Sequence, residues 1–469
     1  MSNYFDCSLS ELANMLRTNQ LRAQDLLEST MDNHSRFTDS LDAYIAWDSV
    51  DILRQAKAVD AAIATGFDAG PLAGLPVSVK DLFGVEHYPT YAGSSRRLPF
   101  DWQREGPVIN ALKQQQAVIT GKTHMVEFAF GGLGVNPHWE SPRNPWDLHQ
   151  YRVSGGSSSG AGVSLSVGSA VLALGTDTAG SVRIPASMTG NVGLKTSFGR
   201  WSLDGIVPLS PSLDTVGLLA RNVDDVAYGY CALESSHCYS EHRRICQNIE
   251  LSQIKIGMSD GLLWSDLSAG IAESVQCATD ELVLRGAKLQ SFFFPEAEMV
   301  YPIFKKGGLV AVELYVFLKN SLPDWLPLLD EKIAQRMEDA ATLPACEYLQ
   351  RVQLFQRLSQ QANERLAEVD VLLCPTVPVT SPTMAEVQDI SRYSETNLLS
   401  LRNTSIVNYL DLIAITLPVG LDAAGMPVGM QLITGRGKED YLLALAGTIE
   451  GCIGNGVERL GRAPLAMGC

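Results

Sequence analysis

Residues 155–162 read Gly-Gly-Ser-Ser-Ser-Gly-Ala-Gly, and residues 175–186 read Gly-Thr-Asp-Thr-Ala-Gly-Ser-Val-Arg-Ile-Pro-Ala. Glycine and serine at this density are the composition of a flexible linker. Here, however, the stretch runs straight into Val171-Leu172-Ala173-Leu174, the texture of a buried strand. The block therefore reads as part of a core rather than as a tether. Its Gly156-Ser157-Ser158-Ser159-Gly160 also matches G-x-S-x-G with Ser158 central, the pattern of a nucleophile elbow. That elbow needs a strand before it and a histidine after it, whereas residues 151–155 are polar and no histidine follows His242. A Ser-His-Asp triad is disfavoured.

Working upstream, a serine that is to act as a nucleophile needs a positioned base, and a neutral lysine is the remaining way to supply one. The reference pKa of lysine is about 10.4, so poising it near 7 takes about 3.4 units, or ~4.6 kcal/mol, from desolvation and directed hydrogen bonds. Gly74-Leu75-Pro76 punctuates the chain, and Val77-Ser78-Val79-Lys80 then alternates like a strand, with Ser78 and Lys80 on one face and Asp81 on the other. Burial on such a strand supplies the shift, yet a lysine at a sheet edge gives the same pattern. The residues alone leave both readings open.

Taken together, the Gly/Ser block, the Asp-Thr-Ala-Gly-Ser string and Gly74-Leu75-Pro76-Val77-Ser78-Val79-Lys80-Asp81 resemble the amidase signature family. The likeness extends over nearly the whole chain, through Lys122-Thr123 with Glu127-Phe128-Ala129, Asn144-Pro145-Trp146-Asp147, Gly193-Leu194-Lys195-Thr196, Cys374-Pro375-Thr376, and Leu417-Pro418-Val419-Gly420 to Pro427-Val428-Gly429. The resemblance implies a Ser-Ser-Lys triad: Ser181 as nucleophile, Ser157 as the bridging serine held in a cis peptide bond, and Lys80 as general base. Ser158 and Ser159 are then neighbours. Thr178, Ala179, Gly180 and Ser181 would present backbone N–H groups to a developing oxyanion. Asp177 and Arg183 flank the nucleophile and are read as a structural ion pair. The implied reaction is hydrolysis of the C–N bond of a small carboxamide or urea-like amide through an acyl-serine, releasing ammonia or an amine.

Two departures from the commonest pattern stand out: Ala179 stands where many members have Gly, and Ser159 with Ala161 replaces a Gly-Gly-Ser run. These variants resemble allophanate hydrolases and related enzymes of small urea-like amides. A glutaminase subunit of a tRNA-dependent amidotransferase shares the triad region, but its Tyr-rich helix is absent, since residues 346–360 read CEYLQRVQLFQRLSQ. A catalytically silent scaffold is discouraged by the intact triad positions. His124 sits where an Asn is usual and is read as a structural histidine.

The implied fold is one α/β domain over residues 1–469, a mixed twisted sheet covered by helices. Residues 1–70 read as helices, opened by the capping box of Ser8 and Glu11 and followed by helices over 23–34 and 50–64. Residues 71–220 form the signature core, with a helix over 108–115 and strands over 117–120 and 171–174. Residues 221–370 are a variable, mostly helical region shaping the pocket, where Arg336, Arg351, Tyr315 and Trp325, with Arg402 beyond, are unranked candidates for a substrate's polar tail. Residues 371–469 return to the core with strands over 371–375 and 412–418 and a helix over 441–449.

Composition closes other classes. With 36 basic and 52 acidic residues the 469-residue chain carries 36 − 52 = −16, and 46% apolar residues exclude a disordered chain. The negative charge argues against nucleic acid and favours uncharged or cationic small substrates. No basic leader, no apolar run of membrane-spanning length and no C-x-x-C pair is present, so the expected location is the cytoplasm and the nine cysteines read as buried free thiols. The seven histidines form no H-E-x-x-H, and neither a phosphate loop nor a dinucleotide fingerprint occurs, so no metal or cofactor is expected. Many members of the resembled family are dimers, which makes a homodimer the expectation.

Overall fold

The computed structural model describes residues 4–67, 70–234 and 239–467. The lysine-bearing segment forms a strand, Pro76–Lys80, with parallel neighbours on both sides. Such a strand is buried on both faces and would ordinarily be apolar throughout. Val77 and Val79 satisfy that rule, whereas Ser78 and Lys80 are equally buried on the opposite face, and this polar pair marks where chemistry enters the core.

Among the described residues eleven strands build one mixed sheet: β1 Tyr44–Trp47, β2 Pro76–Lys80, β3 Val118–Thr123, β4 Leu172–Asp177, β5 Val192–Lys195, β6 Thr215–Ala220, β7 Lys255–Met258, β8 Lys288–Ser291, β9 Val371–Pro375, β10 Ile413–Leu421 and β11 Pro427–Thr434. Their order is β1-β3-β2-β4-β6-β5-β10-β11-β9-β7-β8. β4 is parallel to β2 with Val79 opposite Leu174, and antiparallel to β6 with Asp177 opposite Thr215. That register brings the ends of β2, β4 and β6 to one place. No helix among the described residues is long and apolar enough to cross a membrane.

The Gly/Ser block becomes the buried helix Ser159–Ser166, packed against β2, β3, β4 and the helix Arg183–Thr189. Its small residues let backbones approach closely: a Cβ at Gly160 would run into the carbonyl oxygen of Ala43. Helix propensity alone disfavours this composition, so tertiary packing decides it.

Several expectations need correction. The N-terminal region is not wholly helical, because β1 lies within it, and the second helix runs to Leu41. The region 221–370 adds β7 and β8 to the sheet. β8 reads Lys-Leu-Gln-Ser and is exposed at every residue, so it carries no buried-strand signal. β11 went unread as well, and the predicted strand over 117–120 and helix over 441–449 extend to Thr123 and Ile453. The seven cysteines among the described residues are free thiols, but only Cys231 and Cys374 are buried, with Cys7, Cys246 and Cys452 partly covered and Cys277 and Cys346 exposed on helix surfaces. Cys238, Cys469 and His237 lie outside the described residues.

Candidate active site

β2 ends on Lys80, β4 ends on Asp177, and the turn after β4 carries Ser181 into the helix Arg183–Thr189. Lys80 Nζ donates to Ser157 Oγ at 2.8 Å and to Thr176 Oγ1 at 3.0 Å, fully buried and with no carboxylate within ion-pair distance among the described residues. Burial pulls the amine down to about 7, against the opposing charges of Asp214 and Asp177. The strand alternation holds: Asp81, on the other side, pairs with Lys122 at 3.5 Å and accepts the Tyr91 and Gly93 N–H groups.

Ser157 and the turn that bears Ser181 are tied through the backbone. The Gly156–Ser157 peptide bond is cis, and the Ser158 N–H donates to the Ser181 carbonyl at 3.2 Å. Ser157 and Ser181 are both buried, but no hydrogen bond joins their Oγ atoms in this conformation. The Oγ atoms of Ser158 and Ser159 are buried without a partner, so neither accepts from Lys80 Nζ.

Asp177 and Arg183 form the expected ion pair, with Nη2 2.8 Å from Oδ1 and Nε 3.0 Å from Oδ2, both side chains fully buried. Burial alone would raise the Asp177 carboxyl, yet the charge and hydrogen bonds of Arg183 hold it well below the usual carboxylate range. Its oxygens also accept the Gly180 N–H at 2.8 Å and the Val182 N–H at 3.2 Å. The Gly180 amide is thus spent on Asp177, which corrects the expectation of four converging donors. The N–H groups of Thr178, Ala179 and Ser181 donate to no acceptor among the described residues. Gly180 has φ +129°, and a Cβ there would collide with Thr404 Oγ1, so the turn admits only glycine. Thr178 Oγ1 donates to Asp214 Oδ1 at 2.6 Å.

A cavity of about 580 Å³ opens over this turn, lined by Thr178, Ala179 and Ser181 on one side and by Phe130, Val310 and Arg336 among others on the far side. Of the five tail-binding candidates, Arg336 and Arg351 line it, whereas Tyr315, Trp325 and Arg402 do not. Arg351 is committed to Glu347 and the Gly308 carbonyl. The half-buried Arg336 stacks its guanidinium 3.8 Å from the Phe130 ring centroid and donates to the Phe130 carbonyl at 2.5 Å, with no carboxylate partner among the described residues. Lys305 and Lys306 stand at the rim, and Asp339 is the one acid in the lining among the described residues. The wall is therefore cationic, opposite to the charge of the whole chain. His124 instead pairs with Asp42 at 3.1 Å, away from the cavity.

Sequence reading missed Lys306, Phe130 and Asp214, because nothing in their neighbours marks them; only the long-range folding of 304–312, 335–344 and 398–401 onto the turn reveals the pocket.

A family model described as Amidase matches residues 25–443. Among known proteins, 2-amino-5-chloromuconic acid deaminase of Comamonas testosteroni is 46% identical over 458 residues, spanning 98% of each chain. A glutamyl-tRNA(Gln) amidotransferase component from Trichodesmium erythraeum is 30% identical over 474 residues, 94% of this chain and 96% of that protein. A solved structure described as an amidase superposes with a TM-score of 0.86 at 28% identity, covering 96% of this chain and all of that one.

Proposed function

This chain belongs to the amidase family of C–N bond hydrolases, and from that premise we propose that Ser181 attacks the carbon of a small acid's C–N bond, with Ser157 and Lys80 relaying its proton. The observation that carries this reading is the buried amine of Lys80, 2.8 Å from Ser157 Oγ and without a carboxylate among the described residues to hold its charge. Near neutrality about half of such an amine is unprotonated and able to accept a proton, and above neutrality most of it is. The relay needs Ser181 Oγ to approach Ser157 Oγ, a catalytic contact of the kind that tightens when substrate is bound.

In the reading's first half, Ser181 Oγ bonds to the carbonyl carbon of an amide, the C=O π bond opens, the serine proton passes through Ser157 to Lys80, and negative charge collects on the former carbonyl oxygen. The N–H groups of Thr178, Ala179 and Ser181 receive that charge. The nitrogen then takes the proton back and leaves as ammonia or an amine. In the second half, water loses its proton along the same relay and releases the acyl group.

The cations of the cavity wall support a carboxylate on the substrate, with Arg336 as its anchor and Lys306 at the rim. The acid named for the 46% identical relative supports this class over the urea-like amides that the sequence variants suggested. A second reading, glutamine hydrolysis for a partner protein, draws on the 30% identical relatives. A cytoplasmic location and a homodimer complete the proposal; light scattering checks the latter.

Ammonia release is the test. A panel of 2-aminomuconic-type acids, linear carboxamides with and without a distal carboxylate, and glutamine separates the substrate classes. Ser181→Ala and Lys80→Ala are expected to cost at least about 10³ in kcat on whichever substrate turns over. Near wild-type turnover in either variant overturns the mechanism, and a preference for uncharged amides overturns the substrate class.

A further inference from the structure

We propose that Asp214 is a positioning residue for the reaction: its carboxylate holds the turn bearing the oxyanion donors through Thr178, and its charge acts on Lys80. This inference rests on the Ser181–Ser157–Lys80 reading and adds to it a residue outside the triad.

The geometry is specific. Asp214 stands just before β6 and is buried. Its Oδ1 accepts the Thr178 hydroxyl at 2.6 Å, and its Oδ2 accepts the Leu209 and Ser210 N–H groups at 2.9 and 3.0 Å. Thr178 opens the turn that carries Ala179, Gly180 and Ser181, and Leu209 lines the cavity. One carboxylate thus joins the turn to the cavity wall.

The connection continues outward. Ser210 Oγ donates to Glu313 Oε2 at 2.7 Å, and Glu313 also accepts the Ser212 N–H at 3.0 Å and the Tyr348 hydroxyl at 2.7 Å. Glu313 lies on the helix Val310–Ser321, whose first three residues line the cavity. The variable region therefore reaches the oxyanion turn through Glu313, Ser210, Asp214 and Thr178.

The electrostatics single out Asp214 in the same way. Two carboxylates act on Lys80, Asp177 and Asp214. Asp177 is neutralised by Arg183, with Lys195 adding positive charge nearby. Lys122, the next buried amine on the sheet, belongs to Asp81 on the far face of β2. Asp214 has no cation within ion-pair distance among the described residues, so it is the uncompensated charge facing the base. Burial pushes its carboxyl up to about 6, Thr178 and the two amides pull it back, and Glu313 adds to the rise. It is therefore ionised from about pH 7 upward, over the upper part of the range in which Lys80 titrates. An anion nearby favours the protonated amine, so removing it frees the base at lower pH.

A fluorophosphonate probe tests this without knowledge of the substrate. Ser181 Oγ forms the bond to phosphorus, fluoride leaves, and the serine proton passes to Lys80 by way of Ser157. The labelling rate is measured from pH 5.5 to 9 on the full chain, with the modified residue located by peptide mass spectrometry. Wild type is expected to label at Ser181 with a rise centred near pH 7. Asp214→Asn is expected to move that midpoint down by at least about half a unit and to lower the plateau. Thr178→Val, which removes only the hydroxyl donor, is expected to lower the plateau about tenfold with a smaller displacement of the midpoint. A midpoint in Asp214→Asn at or above that of wild type overturns the proposal. Should that variant not fold, an undiminished plateau in Thr178→Val overturns it equally. Failure of wild type to label at Ser181 overturns the triad reading and this inference with it; normal wild-type labelling with unchanged variants overturns this inference alone.

Discussion

Lys80 shows what a single buried amine costs and what it supplies. Its folded-state pKa, near 7, lies below the value of about 10.4 that it has in an unfolded chain. The unfolded chain therefore binds the extra proton, and folding stability falls as pH is lowered from about 10 towards 7, then levels off. Lys80→Met abolishes that dependence. We expect it to be more stable than wild type at pH 6 by a few kcal/mol, the gap narrowing as pH rises to 10, while activity is lost. Denaturant unfolding at the two pH values checks this; a variant less stable than wild type at pH 6 contradicts the account. Arg183 and Asp177 were legible as a structural pair from their flanking positions. The loss of the Gly180 amide to Asp177 was not, because two carboxylate oxygens choose among several nearby donors only once the turn has folded.

At the scale of elements, the question is how the helix Glu331–Met337 presents Arg336 to the cavity. The residue before it, Asp330, donates its N–H to Glu127 Oε2 at 2.8 Å, and Glu127 Oε1 lies 3.0 Å from His138 Nε2. Glu127 is buried beside the cavity-lining segment Ala129-Phe130-Gly131, so it fixes the start of the helix to the signature core. Glu127→Ala is expected to lower stability by about 1–3 kcal/mol and to raise KM for a carboxylate-bearing substrate more than it lowers kcat. Equal losses in the two parameters would show that the helix start does not position Arg336. The residues of this clamp, 127, 138 and 330, lie too far apart in sequence for any periodicity to link them. Local patterns did disclose β2, β4, β9 and β10, whose buried runs are continuous. They did not disclose β1, β5, β7 and β8, since four-residue strands leave too weak a trace, nor β6 and β11, whose longer buried runs are each interrupted by a glycine, Gly217 and Gly429.

Across the whole molecule, a charge of −16 surrounds a cavity whose wall carries Lys305, Lys306, Arg336 and Arg351 against Asp339. Exposed charges more than about 8 Å apart are largely screened at physiological salt, so the lining and not the total selects the substrate's sign. The corresponding prediction is that raising ionic strength from about 0.02 to about 0.5 M increases KM for an anionic substrate several-fold and leaves an uncharged amide nearly unaffected. Arg336→Met should raise KM for the anion about 10- to 100-fold and flatten that salt dependence. A KM indifferent to both salt and the substitution would remove the carboxylate from the substrate reading.

Family and general architecture followed from the order of residues, and the pairing of Lys80 with Ser157 from the family resemblance that those residues carry, because each rests on short runs with little freedom: an alternating strand that buries Lys80, small residues where backbones must meet, and a glycine at a positive φ before Ser181. The sign of the pocket, the donors left for an oxyanion and the reach of Glu313 to Asp214 did not. They arise where distant segments meet in a low-dielectric space, and it is proximity there, not position along the chain, that fixes which charges are compensated and which remain to act on a ligand.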